Sequence, residues 1–412
     1  MVTELVCIVC GRSYPPGDLQ TCGVCGPQGI LDVRHDYDAI TPILTFEALG
    51  RRSPDHWRYR ELLPIDPGAT LPPLRVGWTP IYDAPRLAQK VGVRRLFLKD
   101  DGRNPTSSFK DRASSVGVLK AREFGYDTIA CASTGNAASS LAGMAASTGM
   151  RSMIFVPQRA PEPKIAQLLV FGATVFRVAG TYEQAFELCR AACGHFGWYN
   201  RNSGTNPYLV EGKKTAGLEI AEQFAAGGPL GGELPDWVVV SVGDGCTIGG
   251  IGKGLHEFKR LGLVRTLPRL LGVQAEGASP IVKAFEAKTD LVPSSAETIA
   301  DSIAVGTPRN WRRALAWVRA SRGAMIAVPD QEILEAMRLT ARLGGVFGEP
   351  AGVAGLAGLR RAVLQGLVSP DSSVVAVITG NGLKDIRSAT AAAGRPHDIQ
   401  PDLQQVEAAL RG

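Results

Sequence analysis

The chain has 412 residues, of which 45% are hydrophobic and 20% charged, and it contains 48 glycines. These values are typical of a globular α/β protein with two ordinary domains and a small additional segment, and they exclude extended disorder. The 45 basic and 39 acidic residues are interspersed, so the net charge of +6 forms no basic stripe for a nucleic acid. Neither a membrane-spanning run of ~18 apolar residues nor a secretory signal is present. We therefore expect a cytoplasmic protein that binds neither nucleic acid nor membrane.

Two Cys-x-x-Cys pairs, each followed directly by glycine, lie near the N-terminus: Cys7 with Cys10, and Cys22 with Cys25. Such pairs can direct four thiolates at one tetrahedral ion, so residues 1–34 are predicted to form a structural zinc ribbon. Because four cysteines leave no coordination position for water, catalysis at this metal is not expected. A loop without metal, a redox motif and a nucleic-acid-binding ribbon are the alternatives.

Beyond an irregular, proline-rich segment over residues 37–75, apolar patterns alternate between helix and strand. The predicted strands are 95–99, 127–132, 152–156, 174–178, 237–242, 269–274 and 373–378. The predicted helices are 113–124, 137–148, 164–171, 182–196, 212–224, 249–261, 310–319 and 331–343. Two α/β lobes with parallel sheets follow, and ligands of such sheets bind at the carboxyl ends of the strands. We predict an N-terminal lobe over 35–204, a C-terminal lobe over 205–395 and a tail over 396–412.

Lys110 lies between a predicted strand and a predicted helix, after the turn-forming residues that begin at Asn104. A lysine at such a junction, flanked by Ser107, Ser108 and Phe109, can be held partly desolvated, which lowers the pKa of its amine and frees it to form an imine. This pattern predicts that Lys110 is a catalytic residue that forms a Schiff base with pyridoxal phosphate. An ordinary surface lysine is the alternative interpretation.

Two further segments follow predicted strands and open predicted helices. The first is predicted to hold a carboxylate on exposed backbone N–H groups, with a plain helix cap as the alternative; it consists of Ser133, Thr134, Gly135 and Asn136. The second has glycines that let the backbone approach an anion, which predicts a phosphate site; it consists of Gly243, Asp244, Gly245, Cys246 and Thr247. Its spacing does not match the dinucleotide fingerprint.

The stretch Asn104–Arg112 resembles the NPTGSFKDR signature of threonine synthases, with Ser107 in place of the usual glycine. The loop at 133–136 is similar to the STGN loop of that family, and residues 379–385 are similar to its TGHGLKD motif. The resemblance extends from about Cys7 to Asp385. It implies a two-lobed, tryptophan synthase β-like fold of fold type II, with pyridoxal phosphate held by Lys110.

The resemblance also implies roles for the other motifs. Asn136 would reach the phenolic oxygen of the cofactor, and Thr379 would donate a hydrogen bond to its pyridine nitrogen. The 243–247 loop would bind the cofactor phosphate, and residues 133–135 would bind the substrate carboxylate. A neutral partner at the pyridine nitrogen biases the cofactor away from transamination.

Residues 200–215 resemble the family's NSxNPxRxEGQKT stretch, whose polar residues bind the substrate phosphate. Asn202 and Ser203 match this pattern, whereas Leu209 stands where the family has Arg. A phosphate bound without that Arg needs another cation. The candidates for this cation are Lys213, Lys214 and Arg201.

Altogether the resemblance implies a homodimeric threonine synthase that converts O-phospho-L-homoserine and water to L-threonine and phosphate. Ala137, Asp244 and Asn381 stand where relatives have Thr, Asn and His. These departures, with that at Leu209, leave open a threonine or serine dehydratase on the same fold, or a synthase acting on another O-activated amino acid. A non-catalytic protein whose ribbon binds a partner is an alternative of another class.

Overall fold

The computed structural model describes residues 2–160 and 162–411. The described strands, in chain order, are β1 (Val2–Cys7), β2 (Ser13–Tyr14), β3 (Leu31–His35), β4 (Ile81–Asp83), β5 (Arg95–Asp100), β6 (Thr128–Ala132), β7 (Arg151–Pro157), β8 (Thr174–Val178), β9 (Tyr199–Asn200), β10 (Trp237–Ser241), β11 (Arg269–Ala275), β12 (Ala324–Val328) and β13 (Ser373–Ile378). The described α-helices are α1 (Tyr37–Ile40), α2 (Phe46–Gly50), α3 (Pro85–Val91), α4 (Lys110–Glu123), α5 (Asn136–Thr148), α6 (Glu162–Val170), α7 (Tyr182–Phe196), α8 (Tyr208–Ala225), α9 (Cys246–Arg260), α10 (Pro280–Ala287), α11 (Trp311–Ala320), α12 (Asp330–Gly344), α13 (Pro350–Leu364), α14 (Ile386–Ala393) and α15 (Leu403–Arg411).

Two sheets with helices packed against them form the body of the protein. The larger has the strand order β12-β11-β10-β13-β5-β4 and is parallel except for β4, and the smaller has the order β8-β7-β6-β9 and is parallel throughout. Every residue of β10 and of β13 is buried, as expected for apolar central strands that are covered on both faces. The predicted α/β fold with two parallel sheets is confirmed.

The two sheets do not divide the chain at the predicted boundary between residues 204 and 205. Strand β5, which lies within the predicted N-terminal lobe, pairs in parallel with β13, with Lys99 opposite Val377. Parallel pairing brings the carboxyl ends of both strands to the same edge of the sheet. The loop that leads from β5 to Lys110 therefore lies beside the Thr379 loop that follows β13.

Helix α13 was not among the predicted helices, and its glycines explain why. Glycine lowers helix propensity by about 1 kcal/mol relative to alanine, so Gly352, Gly355 and Gly358 weaken the sequence signal. In the fold, these glycines let the helix pack closely on the larger sheet. A Cβ atom on Gly358 would lie 2.3 Å from a methyl group of Val273 on β11. Close packing against the sheet therefore overrides the weak local propensity.

Helices α8 and α9 also pack closely, and they carry residues of the predicted site. A Cβ atom on Gly217 would lie 2.3 Å from the carbonyl oxygen of Ile251, and one on Gly254 would lie 2.3 Å from that of Lys214. Helix α8 is buried along nearly its whole length. It therefore holds its polar side chains, including two adjacent lysines, inside the protein.

The N-terminal segment forms a small antiparallel sheet with the order β2-β1-β3. Its buried residues Leu5 and Val33 belong to one apolar cluster with Leu119 of α4 and Tyr208 of α8. The following segment, predicted to be irregular, buries Trp57 as well. Among the described residues, no helix combines the length and apolar character needed to span a membrane.

Candidate active site

Lys110 is the first residue of α4 and lies where the ends of β5 and β13 meet. The N–H of Phe109 donates to the carbonyl oxygen of Thr379 at 2.8 Å, and the N–H of Asn381 donates to that of Ser107 at 3.1 Å. Ser107 has φ of +64°, a left-handed conformation that favours glycine. Ser107, which replaces the glycine of the family signature, therefore adopts the same left-handed backbone conformation that favours glycine.

The environment of Lys110 favours a reactive amine. Burial lowers the pKa of Lys110 to about 8, and the positive charges of Lys213 and Arg201 act in the same direction, whereas Glu349 opposes them. A larger fraction of the amine is then neutral near physiological pH than for an exposed lysine. This electrostatic setting agrees with the predicted role of Lys110 as a nucleophile toward a carbonyl group.

The loop at 133–136 follows β6 and opens α5, as predicted. The N–H of Gly135 donates to the hydroxyl of Ser133 at 3.2 Å, and both residues are half-buried beside Thr134. The side-chain amide of Asn136 donates to Glu349 Oε1 at 2.6 Å. The loop is therefore anchored to a carboxylate directly before α13, the helix that packs on the larger sheet.

Glu349 is a site residue to which the sequence analysis assigned no role, although it lies within the span of the family resemblance. It is 5% exposed and lies at the start of α13, directly before Pro350. Burial raises the pKa of Glu349, and the nearby charge of Lys110 opposes that rise. Glu349 therefore connects Lys110 electrostatically with Asn136.

The glycine-rich loop at 243–247 joins β10 to the N-terminus of α9. Gly245 has φ of +94°, and a Cβ atom there would lie 2.7 Å from the carbonyl oxygen of Asn310. The carboxylate of Asp244 accepts from the N–H of Arg309 at 2.7 Å and from the side-chain amide of Asn310 at 3.0 Å. The carboxylate of Asp244, which would be unfavourable beside a phosphate, is therefore held by residues 309 and 310. Cys246 and Thr247 begin α9, and the positive N-terminal end of this helix faces the loop.

Arg201 and Lys213 are two buried cations near Lys110. Arg201 is 1% exposed and its guanidinium donates to the hydroxyl of Ser114 at 2.9 Å and of Ser203 at 3.2 Å. Lys213 is 2% exposed, and burial lowers the pKa of both cations. Within the described chain, no carboxylate lies within 4.0 Å of either charged group. Buried charges are costly unless they are paired, so this arrangement is suited to an anionic ligand.

Lys214 is adjacent to Lys213 in the chain but lies in a different environment. Its amine donates to Glu211 at 2.6 Å and to Glu257 at 2.9 Å, and it lies 3.1 Å from His35 Nε2. His35, Glu211 and Glu257 lie close enough together to bind a metal ion. The ammonium group of Lys214 already lies among them, however. The carboxylates around Lys214 therefore distinguish it from Arg201 and Lys213, the other two candidates for the cation that binds the substrate phosphate.

The remaining predicted residues differ in their surroundings. Asn202 accepts from the N–H of Ala132 at 3.1 Å and thereby holds the end of β6, directly before the 133–136 loop.

Thr379 is buried at the edge of the larger sheet, beside Lys110. Asn381 caps the next turn by accepting from the N–H of Leu383 at 3.0 Å. Leu209 is fully buried and packs against Gly117 of α4. Its position therefore lies in the core.

The residues present fit pyridoxal phosphate in three respects. Lys110 has a lowered pKa, and a glycine-rich helix N-terminus follows β10, which lies two strands from β5 in the same sheet. In addition, the buried hydroxyl of Ser108, two residues before Lys110, has no hydrogen-bond partner among the described residues. Buried hydroxyl groups are normally paired, so this one is free to bond to a ligand.

The four N-terminal cysteines fit a zinc ion. Their sulfur atoms all lie within 4.8 Å of one another, and Cys10 Sγ lies 3.7 Å from Cys22 Sγ. A Cβ atom on Gly29 would lie 2.5 Å from the Cβ of Cys22 and 2.6 Å from that of Cys25, so the backbone closes tightly around the second pair. Four thiol groups gathered in this way are the donor set of a closed structural zinc site.

Comparison with known proteins is consistent with this geometry. A family model described as "Pyridoxal-phosphate dependent enzyme" matches residues 73–380. The chain is 39% identical to a protein of Methanosarcina acetivorans named threonine synthase, with 99% of each chain covered. It is 37% identical to a protein of Methanocaldococcus jannaschii with the same name, with 98% of each chain covered. The predicted family is thereby confirmed.

Solved structures resemble the fold at lower sequence identity. The processed form of threonine deaminase isoform 2 from Solanum lycopersicum has a TM-score of 0.65 at 21% identity, covering 77% of this chain and 88% of that one. Maize serine racemase also has a TM-score of 0.65, at 20% identity, covering 81% of this chain and 91% of that one. These similarities confirm the predicted fold type II architecture and carry no information on the substrate.

Proposed function

Because the chain belongs to the threonine synthase family of pyridoxal-phosphate-dependent enzymes, we propose that it converts O-phospho-L-homoserine and water to L-threonine and phosphate. The observation that carries the proposal is the pair of buried cations, Arg201 and Lys213, whose charges lower the pKa of Lys110. Their two positive charges complement one phosphate dianion. A dehydratase acting on serine or threonine has no need of such a second anion site.

The cofactor, when bound, supplies an electron sink for the carbanions of its amino-acid substrate. Lys110 would bind it, Thr379 and Asn136 would contact its ring, and the 243–247 loop would hold its phosphate. The amine of Lys110 would then move protons at the α and β carbons of the substrate as a general base and acid. Glu349 would keep Asn136 in place through their 2.6 Å hydrogen bond.

The substrate is bound at both of its ends in this proposal. The backbone N–H groups of the 133–135 loop, with the hydroxyls of Ser133 and Thr134, would hold the carboxylate. Arg201 and Lys213 would hold the γ-phosphate, with Ser203 as a hydroxyl partner of Arg201. Asn202 would support both sites, since it is bonded to the end of β6.

Water has to add only after phosphate has left, so a closed cleft is required. Lys164 of α6 donates to Asp301 at 2.5 Å, and Asn136 donates to Ser302 at 3.4 Å. These contacts join the smaller sheet's side of the cleft to the 301–303 segment, which covers Gly135. They support a role for this segment in excluding water.

The N-terminal cysteines are proposed to bind a structural Zn²⁺ ion through Cys7, Cys10, Cys22 and Cys25. The gathered sulfur atoms support this assignment. Metal analysis of the purified protein tests it, with one zinc per chain expected and its loss expected in Cys22→Ser. A homodimer and a cytoplasmic location stay predictions.

The function is tested by incubating the cofactor-loaded protein with O-phospho-L-homoserine and measuring phosphate and threonine together. Equal amounts of both products are expected. Serine and L-threonine are supplied in parallel, with release of the corresponding keto acid as the readout. A higher kcat/KM for either of these than for O-phospho-L-homoserine would contradict the proposal and favour the dehydratase.

A further inference from the structure

The ribbon contacts the loop that carries Arg201. The side-chain amide of Gln20, which lies between the two cysteine pairs, donates to the carbonyl oxygen of Asn200 at 2.9 Å. Its oxygen accepts from the hydroxyl of Thr205 at 3.5 Å. One side chain of the ribbon therefore bridges both ends of the loop from Asn200 to Thr205, with Arg201 inside the span.

A second contact holds the adjoining helix end. The hydroxyl of Tyr208, the first residue of α8, donates to the carbonyl oxygen of Gly17 at 2.5 Å and accepts from the N–H of Gly17 at 3.2 Å. Tyr208 is 2% exposed. The loop between the cysteine pairs is thus bonded to the chain on both sides of residues 201–204.

The position of the Arg201 guanidinium depends on this loop. Its side-chain partners are the hydroxyls of Ser114 and Ser203, and neutral hydroxyl groups hold a guanidinium less firmly than a carboxylate would. The backbone N–H of Arg201 donates to the carbonyl oxygen of Ala130 at 2.8 Å. The loop backbone therefore does much of the positioning, and Gln20 acts on that backbone.

The position of Gln20 is in turn set by the cysteine cluster. Thr21, the next residue, forms a β-bridge with Ile30, and the N–H of Cys22 donates to the carbonyl oxygen of Gly29 at 2.7 Å. Cys22 also contacts the hydroxyl of Tyr14 at 3.1 Å. A metal ion bound by the four sulfur atoms would fix this stretch two residues from Gln20.

We propose that Gln20 is a positioning residue for the substrate-phosphate site, and that the metal site of the ribbon acts on the active centre through it. The inference rests on the proposed function in assigning Arg201 to the substrate phosphate. It assigns the ribbon a part in substrate binding besides its part in the fold.

The test compares Gln20→Ala with the matched control Gln28→Ala in the cofactor-loaded, metal-loaded protein. Gln28 lies in the same ribbon and is exposed, and its side chain makes no hydrogen bond to the catalytic body within the described chain. Gln20→Ala is expected to raise KM for O-phospho-L-homoserine by about 3- to 10-fold, with kcat changed less than ~2-fold, as for the loss of one hydrogen bond outside the reacting atoms. Gln28→Ala is expected to change neither constant.

Amide hydrogen exchange supplies a readout that is independent of turnover. Exchange over residues 200–206 is expected to be faster in Gln20→Ala than in the wild type, with metal content and cofactor absorbance unchanged. Wild-type protein stripped of metal by a chelator is expected to show the same faster exchange. Chelation of Gln20→Ala is expected to add little more.

The outcomes separate this inference from the function on which it rests. If the wild type releases phosphate and threonine but Gln20→Ala matches Gln28→Ala in KM and in exchange, the inference is wrong and the function stands. If the wild type does not use O-phospho-L-homoserine, the proposed function fails and the inference fails with it. Unchanged exchange at 200–206 in protein that has lost its metal would overturn the link between the metal site and the loop.

Discussion

Two adjacent lysines on α8 show how one residue type can serve two purposes in one helix. Lys214 is surrounded by Glu211 and Glu257, so its charge is neutralised inside the protein. Lys213 lies near Arg201, Lys110 and Cys246. The charge of Asp244 also acts on it, but no carboxylate lies within ion-pair distance among the described residues. Removing one partner of a buried ion pair is strongly destabilising because the other charge stays uncompensated, whereas a buried charge without a partner is suited to an anionic ligand.

The difference arises from helix geometry. Successive side chains on an α-helix point about 100° apart, so neighbouring residues on a buried helix face different partners. Lys214 points toward α9 and β3, where Glu257 and His35 lie. Lys213 points toward Cys246 at the start of α9, next to the predicted phosphate loop. Helix α8 thereby joins the carboxylate cluster around Lys214 to the proposed ligand site.

The largest expected difference between the two lysines is in stability. Lys214→Met leaves the buried Glu257 without its ion-pair partner, whereas Glu211 keeps Lys253 at 2.7 Å. The loss of that partner is expected to lower the free energy of unfolding by about 3–5 kcal/mol. Lys213→Met removes an unpaired cation and is expected to leave stability unchanged or to raise it. Urea unfolding of both variants without substrate measures the two effects, and equal losses would remove the distinction between the two sites.

For catalytic activity the order of the two lysines is expected to be reversed, with Lys213→Met having the larger effect. Lys213→Met and Arg201→Met each remove one proposed partner of the substrate phosphate, so kcat/KM for O-phospho-L-homoserine should fall by about 10- to 100-fold, or ~1.4–2.7 kcal/mol. The folded fraction of Lys214→Met should retain kcat/KM within a few-fold of the wild type. Steady-state kinetics below the unfolding temperature of each variant supply the comparison, and an Arg201 variant with wild-type kcat/KM would contradict the assignment.

The unpaired charge of Lys213 should also affect the pH dependence of cofactor binding. Lys110 attacks a carbonyl only when its amine is neutral, and burial with the charge of Lys213 lowers its pKa to about 8. The rate at which cofactor-free protein takes up pyridoxal phosphate should therefore rise with pH through a midpoint near 8. Lys213→Met removes a positive charge and should move that midpoint to higher pH. Stopped-flow absorbance measures the shift, and a midpoint that does not move would show that Lys213 lies too far away to matter.

The smallest expected effect is at Asp244. Asp244→Asn keeps one side-chain oxygen as an acceptor for the N–H of Arg309 but weakens the bond from Asn310. Because the carboxylate is bound to this turn, we expect a loss of about 1 kcal/mol in unfolding free energy and less than ~3-fold in cofactor affinity. Titration of cofactor-free protein with pyridoxal phosphate, followed by thermal unfolding, measures both. A large gain in cofactor affinity would mean that Asp244 faces the cofactor phosphate after all.

Much of the fold could be predicted from the sequence because most of its elements have regular apolar patterns. Strand β13, for example, lies at the predicted residues 373–378, and α7 lies at 182–196. Helix α13 and strand β12 are among the elements that were not predicted. In α13, glycines that serve tight packing on the sheet weaken the local signal. The pairing of β5 with β13 joins residues far apart in the chain, which no local pattern reveals.

The candidate site was predicted where a motif lies at the end of a strand. Lys110 and the loops at 133–136 and 243–247 are of this kind, because the position of a strand end follows from the sequence. Which cation faces the site could not be predicted, since one residue along a helix turns the side chain toward other neighbours. The bond between Asn136 and Glu349 spans 213 positions, so it too required the structure.

The most direct test of the account is the effect of Arg201→Met and Lys213→Met combined, measured as phosphate release and threonine formation from O-phospho-L-homoserine beside the wild type. The account predicts equal amounts of both products from the wild type. In the double variant it predicts a loss of at least ~100-fold in kcat/KM, with the cofactor absorbance and the unfolding transition retained. Near wild-type kcat/KM in that folded, cofactor-loaded variant would contradict the assignment of the buried cations to the substrate phosphate.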